Sequence, residues 1–155
     1  MPDDHFDDPS IPDHERLFRR IHLVHVAEGS EGRSALSSAA FRDKELSVNL
    51  ESVMRQAGKP PDYALRNHPH DFLAGITAGV CRANGQRVGP DPLPDEPAHG
   101  YVFGDKPKRI RRALRDAASW IVPAQAPSWE EVLLRKRELG IAGEEDGGGL
   151  DPSGS

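Results

Sequence analysis

Cysteine is nearly missing from this chain of 155 residues, in which Cys81 stands alone. A single cysteine excludes an internal disulfide bond and any zinc site built on cysteine pairs. Small secreted domains commonly depend on disulfides, so this cysteine count favours a reducing compartment. We therefore expect a cytoplasmic protein.

Long apolar runs are also missing. No stretch approaches the roughly 18 apolar residues that a membrane-spanning helix needs, so we expect a soluble protein without membrane contact. The first ten residues, MPDDHFDDPS, are acidic, whereas a signal peptide starts with basic residues and an apolar stretch.

Hydrophobic residues make up only 36%, beside 15 glycines and 14 prolines, which predicts one modest core with long connections. Arginine far outnumbers lysine, which suggests a GC-rich bacterial genome.

Basic residues are absent from both ends of the chain. Residues 1–15 hold six acids and residues 141–155 hold four, without any Lys or Arg. All 20 basic residues therefore lie in between, together with 15 acids, and the middle carries about +5. Acidic stretches with Gly and Pro bury too little apolar surface to offset the entropy of ordering. We expect disordered acidic termini at residues 1–14 and 143–155.

The middle of the chain predicts a small α+β domain with a short sheet and three to four helices. We place this domain at residues 15–122, followed by a linker with an appended helix at residues 123–142. The strongest helical period lies in KPKRIRRALRDAASWIV, residues 106–122, where apolar residues recur along one side. The appended helix begins at Ser128, which has capping-box spacing to Glu131, and ends before Gly140.

Shorter segments complete the layout. Residues 50–57 predict a helix that ends at Gly58, and residues 99–104 predict a short strand. The segment VGPDPLPDEP, residues 88–97, predicts a loop because four of its ten residues are proline. Residues 17–26 and 71–84 are open between strand and helix, although β-branched residues favour a strand in the first.

Two histidines interrupt the apolar segment FRRIHLVHV at residues 18–26. In a strand, His22 and His25 point to opposite faces and cannot bind one metal ion. In a helix they lie on one side, about 60° apart, where they could. Because we favour the strand, we expect ordinary surface or interfacial histidines.

Three other histidines are the candidate metal ligands. His68 and His70 lie beside Asp71 in NHPHD, and His99 could join them only if the fold brings it near. Imidazole and carboxylate both suit zinc, but no HExxH helix or cysteine pair completes a ligand set. We expect no metal site here, but a turn at Pro69 with Asp71 capping a helix.

One order of residues resembles a known catalytic arrangement. His22, then Ser37 and Ser38, then Glu45 is similar to the His…Ser…Glu order of ADP-ribosyltransferase-like domains. The match is limited to the segment from His22 to Glu45, and its spacing is closer than in that family. The resemblance implies an NAD-consuming enzyme in which His22 and Ser38 hold NAD and Glu45 activates the acceptor.

The clearest functional feature is a set of cations on the 106–122 helix. Lys108, Arg111, Arg112 and Arg115 recur at i, i+3, i+4 and i+7, opposite the apolar side. Such a face suits anionic groups, but the sequence pI of 5.8 and the lack of aromatic residues among the cations disfavour nucleic acid. There are two other interpretations: the face is only solvated, or the acidic termini cover it.

These cations lead to the expected function. We expect a non-catalytic binding or accessory protein, without a cofactor, that uses this face on an anionic or protein partner. The alternative is a small enzyme, either metal-dependent through its histidines or NAD-consuming.

Overall fold

The computed structural model describes residues 5–141. Its strands are β1 (Arg16–Ile21), β2 (Val26–Glu28), β3 (Ser34–Leu36), β4 (Glu45–Leu50), β5 (Phe72–Thr77), β6 (Arg87–Pro90), β7 (His99–Phe103) and β8 (Ser119–Val122). Its α-helices are α1 (Glu51–Gln56), α2 (Ala78–Ala83), α3 (Lys108–Ala117) and α4 (Trp129–Glu138). Short 3-10 helices cover Leu23–His25, Ser38–Phe41 and Pro61–Leu65. The small α+β fold is confirmed, and the predicted tail at residues 143–155 lies outside the described residues.

A six-stranded antiparallel sheet in the order β6-β7-β4-β1-β5-β8 forms the centre of the fold. The central strands β1 and β5 pair from Arg16 opposite Thr77 to Ile21 opposite Phe72. Because side chains alternate along a strand, each strand contributes to both faces of the sheet. The remaining strands, β2 and β3, pair with each other in a separate hairpin.

Both faces of the sheet are covered, which explains why the central strands lack a simple alternation of apolar and polar residues. On the major face, Leu17 and Ile21 belong to the main core with residues of α2, α3 and α4. On the minor face, Phe18 and Leu73 form a smaller core with Met54 of α1. Full burial of one such side chain stabilises the fold by about 1.5–3 kcal/mol.

The core extends past the expected domain boundaries at residues 15 and 122. Ile11 is only 8% exposed, and Val132 of α4 is fully buried in the main core. Helix α4 thus packs as part of the domain. Among residues 5–141, no helix combines the length and the apolar character needed to cross a bilayer.

The acidic segment at residues 5–14, expected to be disordered, lies along the β6 edge of the sheet. The Asp8 amide donates to the Val88 carbonyl at 2.8 Å, and the Val88 amide donates to Asp7 Oδ1 at 2.9 Å. Arg82 of α2 pairs with Asp7 at 3.0 Å and with Asp13 at 2.8 Å. This acidic segment is ordered because it binds Arg82 and the backbone of Val88. Composition alone does not reveal these partners.

Two segments adopt a strand where the sequence predicted helix or loop. The predicted helix at residues 106–122 ends at Ala117, and Ser119–Val122 pairs with β5 as an edge strand. Within the predicted loop at residues 88–97, Val88, Gly89 and Pro90 belong to β6. Proline is tolerated there because β6 lies at the edge of the sheet.

The structure also decides between strand and helix in the two segments where the sequence left both possible. Residues 71–84 contain both elements, strand β5 followed by helix α2, and Thr77 Oγ1 accepts from the Val80 amide at 3.3 Å as the helix cap. The predicted strand at residues 17–26 is real but ends at Ile21. Asp71 therefore precedes a strand and caps no helix.

Candidate functional site

Helix α3 presents its cations on the side that faces away from the core. Ile110 and Leu114 are 7% and 0% exposed, and the helix packs on the 3-10 helix Ser38–Phe41. At about 100° per residue, Lys108 and Arg112 lie nearly opposite these two buried side chains, and both are exposed. A helix anchored in the core by Ile110 and Leu114 thus holds two cations toward solvent.

The other two predicted members of this face lie at its sides. Arg111 and Arg115 are half-buried. In the described part of the chain, Arg111 Nε is buried without a hydrogen-bond partner, and Arg115 Nε donates to Asp116 Oδ1 at 2.9 Å. Arg109, which the i, i+3, i+4 spacing leaves out, is exposed. We call Lys108, Arg109 and Arg112 the α3 basic surface.

His22 and His25 lie on one side of the chain, contrary to the prediction of opposite faces. Strand β1 ends at Ile21 and the chain continues into the 3-10 helix Leu23–His25, so the two rings are 6.1 Å apart. His22 Nδ1 is 3.4 Å from Asp71 Oδ2, and the same oxygen accepts from Arg20 Nη1 at 2.8 Å. We call His22, His25, Arg20 and Asp71 the histidine cluster.

Burial, together with the neighbouring arginines, keeps the two imidazoles of this cluster neutral. Burial lowers the pKa of His25 to about 4, and Arg42 acts in the same direction. Burial and the positive charge of Arg20 also lower the pKa of His22, against the opposing effect of Asp71. At neutral pH both rings are therefore proton acceptors with a cationic border.

The three candidate metal ligands are not gathered into a site. His68 and His70 are exposed, and His68 lies near enough to His22 to lower its pKa. His99 is in β7, where its Nδ1 is 2.9 Å from the Asp91 carbonyl oxygen. Across residues 5–141, no three His, Cys, Asp or Glu side chains are placed to hold a metal ion.

The residues that resemble the ADP-ribosyltransferase order have three different surroundings. His22 contacts Asp71, whereas Ser38 is only 1% exposed and its hydroxyl is buried without a partner in the described chain. Glu45 is exposed and pairs with His5 Nε2 at 3.1 Å. No hydrogen bond or ion pair between described residues joins the three candidates.

Two cavities lie away from the α3 basic surface. One, of about 660 Å³, borders Asp71, Phe72 and Arg135, and its charged groups are largely paired within the protein. The other, of about 470 Å³, lies beside Asn49 on the minor face. The only sequence signal for the second is Asn49 itself, a polar residue next to Leu50 at the end of the strand segment ELSVNL.

No protein-family model, curated protein or solved structure matches the chain. Its function is therefore inferred from the side chains themselves.

Proposed function

We propose that this protein is a non-catalytic binding protein of the bacterial cytoplasm that recognises an acidic protein segment through the α3 basic surface. The observation that carries the proposal is the orientation of α3. Lys108 and Arg112 point to solvent because Ile110 and Leu114 on the opposite side are buried in the core. The cations are thus presented by a fixed helix, which lowers the entropic cost of binding.

The charge distribution favours a protein over a nucleic acid as the partner. Six of the 25 acids lie at residues 1–4 and 142–155, so residues 5–141 hold 19 acids against 20 Lys and Arg, a balance of +1. The described residues therefore carry almost no net positive charge, whereas proteins that bind the phosphate backbone typically carry a strong excess of Lys and Arg. Helix α3 also holds no aromatic residue on which a base could stack.

The contacts of the candidate catalytic residues support a non-catalytic function. General acid or base catalysis needs its groups within hydrogen-bond distance of one another or of one substrate. Within residues 5–141, Ser38 is buried and Glu45 is paired with His5, and neither forms a hydrogen bond or an ion pair with His22.

The test compares two variants with equal change in charge. In Lys108→Glu with Arg112→Glu, we expect binding of a fluorescein-labelled glutamate-rich 12-mer at low salt to weaken at least about tenfold, because opposite charges become like charges. The control, Arg55→Glu with Arg137→Glu, changes two exposed cations on α1 and α4 and should keep affinity within about threefold. Fluorescence anisotropy measures both, and thermal unfolding confirms that each variant folds.

Three outcomes separate the alternatives. Equal weakening in both variants would mean that net charge alone attracts the peptide, and this contradicts the proposal. Tighter binding of a single-stranded 12-mer DNA than of the peptide would indicate a nucleic-acid partner. A chain truncated after residue 142 that binds the peptide much more tightly would indicate that the acidic tail is the natural occupant of the α3 basic surface.

A further inference from the structure

The cavity of about 470 Å³ on the minor face has the size and lining of a small-molecule site. It lies between α1, the 3-10 helix Pro61–Leu65 and residues 94–98, and we call it the Asn49 cleft. Small-molecule sites measure roughly 300–1,000 Å³ and combine apolar walls with a few polar groups. Here Val53 and Met54 of α1 and Ala98 supply apolar wall.

The polar end of the Asn49 cleft offers hydrogen-bond acceptors. Asn49 is only 9% exposed, and its Nδ2 donates to Glu96 Oε2 at 3.1 Å. Between described residues, no hydrogen bond reaches Asn49 Oδ1 or Glu96 Oε1. Neither oxygen is among the fully buried atoms without a partner, so both acceptors are accessible at the cleft and suit a ligand that donates hydrogen bonds.

The cations of the cleft are already engaged by the protein. Arg66 Nη1 donates to the Tyr63 carbonyl at 3.0 Å and Nη2 donates to the Asp95 carbonyl at 2.7 Å, while Nη1 lies 3.8 Å from Glu96. Lys59 lies over the Tyr63 ring at 4.6 Å. With Asp95 and Glu96, the two cations give a neutral cleft that does not attract an anion.

We propose that the Asn49 cleft binds a small molecule with an apolar body and a planar donor group, such as an amidine, a guanidine or an amino-heterocycle. The apolar body lies against Val53, Met54 and Ala98, and the donor group donates hydrogen bonds to Asn49 Oδ1 and Glu96 Oε1. This site is separate from the α3 basic surface, so it stands or falls independently of the acidic-partner proposal.

The direct test uses two probes of the same shape on the wild-type chain. Benzamidine carries a planar donor group, whereas benzoate carries acceptors only. In a nitrogen-15 NMR titration we expect benzamidine to shift the side-chain amide signals of Asn49 and the backbone amides of Ala57 and Ala98, with benzoate at least about tenfold weaker. Equal or tighter binding of benzoate would overturn the proposed ligand class, and no shifts at these residues with either probe would overturn the site.

A pair of variants tests the role of Glu96. Glu96→Gln removes one charged acceptor, and we expect benzamidine binding to weaken about tenfold. Asp62→Asn is the control, because Asp62 belongs to the 3-10 helix Pro61–Leu65 but does not line the cleft, and the change also removes one carboxylate charge. Equal affinities in Glu96→Gln and the wild type would contradict the proposal.

Discussion

At the scale of single residues, His25 shows how neighbours set the charge of a side chain. Burial lowers its pKa to about 4, and Arg42, His22 and Arg19 act in the same direction. The unfolded chain has a histidine pKa of about 6.5, so it binds more protons than the folded chain between pH 6.5 and 4. The contribution of neutral His25 to the free energy of unfolding is therefore fully present above pH 6.5. It decreases as the pH drops toward 4, and below that value this group causes no further loss.

This linkage gives a testable pH dependence. His25→Gln removes the titrating group, so we expect its free energy of unfolding to fall less between pH 7 and pH 4.5 than that of the wild type. Urea unfolding at the two pH values measures the difference. His70→Gln is the matched control because His70 is exposed, and its pH dependence should follow the wild type. A wild-type pH dependence in His25→Gln would contradict the burial of this ring.

Individual contacts between distant residues were the hardest feature to predict from the sequence. Asp71 has the local signature of a helix cap, but it accepts from Arg20, 51 residues away along the chain. The contact forms because β1 and β5 pair with Ile21 opposite Phe72. Local spacing carries no information about this pairing.

At the scale of elements, local signals succeeded where a helix has its own caps. Helix α4 begins as predicted, since Ser128 Oγ accepts from the Glu131 amide at 3.1 Å, and it ends before Gly140, which has φ of 71°. The predicted helix at residues 106–122 was too long. Its last four residues pair with β5, because strand pairing and burial of Ile121 and Val122 outweigh the helical period.

One arginine of α2 contacts three residues of the segment at residues 5–14. Arg82 donates to Asp7 Oδ1, Asp13 Oδ1 and the Asp8 carbonyl at 2.8–3.0 Å. In Arg82→Ala we expect the Asp8 amide, which donates to Val88, to exchange with solvent at least about tenfold faster, because local opening becomes easier. Hydrogen exchange followed by NMR measures this.

The control for Arg82 is Arg137→Ala, which removes an exposed arginine from α4. It should leave exchange at Asp8 unchanged. Unchanged exchange at Asp8 in Arg82→Ala as well would show that the other contacts of the segment hold it without Arg82.

At the scale of the whole molecule, the fold decides which cations are exposed. The helical period predicts Lys108, Arg111, Arg112 and Arg115 on one helical face. The packing of α3 on Ser38–Phe41 leaves Lys108 and Arg112 exposed but half-buries the other two. The Asn49 cleft was beyond sequence reasoning, because its walls come from separate segments that only the tertiary fold brings together.

The most direct measurement of the central proposal is an NMR map of the glutamate-rich 12-mer on the isotopically labelled wild-type chain. We predict that backbone and side-chain signals of Lys108, Arg109 and Arg112 shift on peptide addition, and that the shifts disappear as salt rises because the contact is electrostatic. Shifts concentrated at His22 and His25, or no shifts on α3 at low salt, would contradict the proposal.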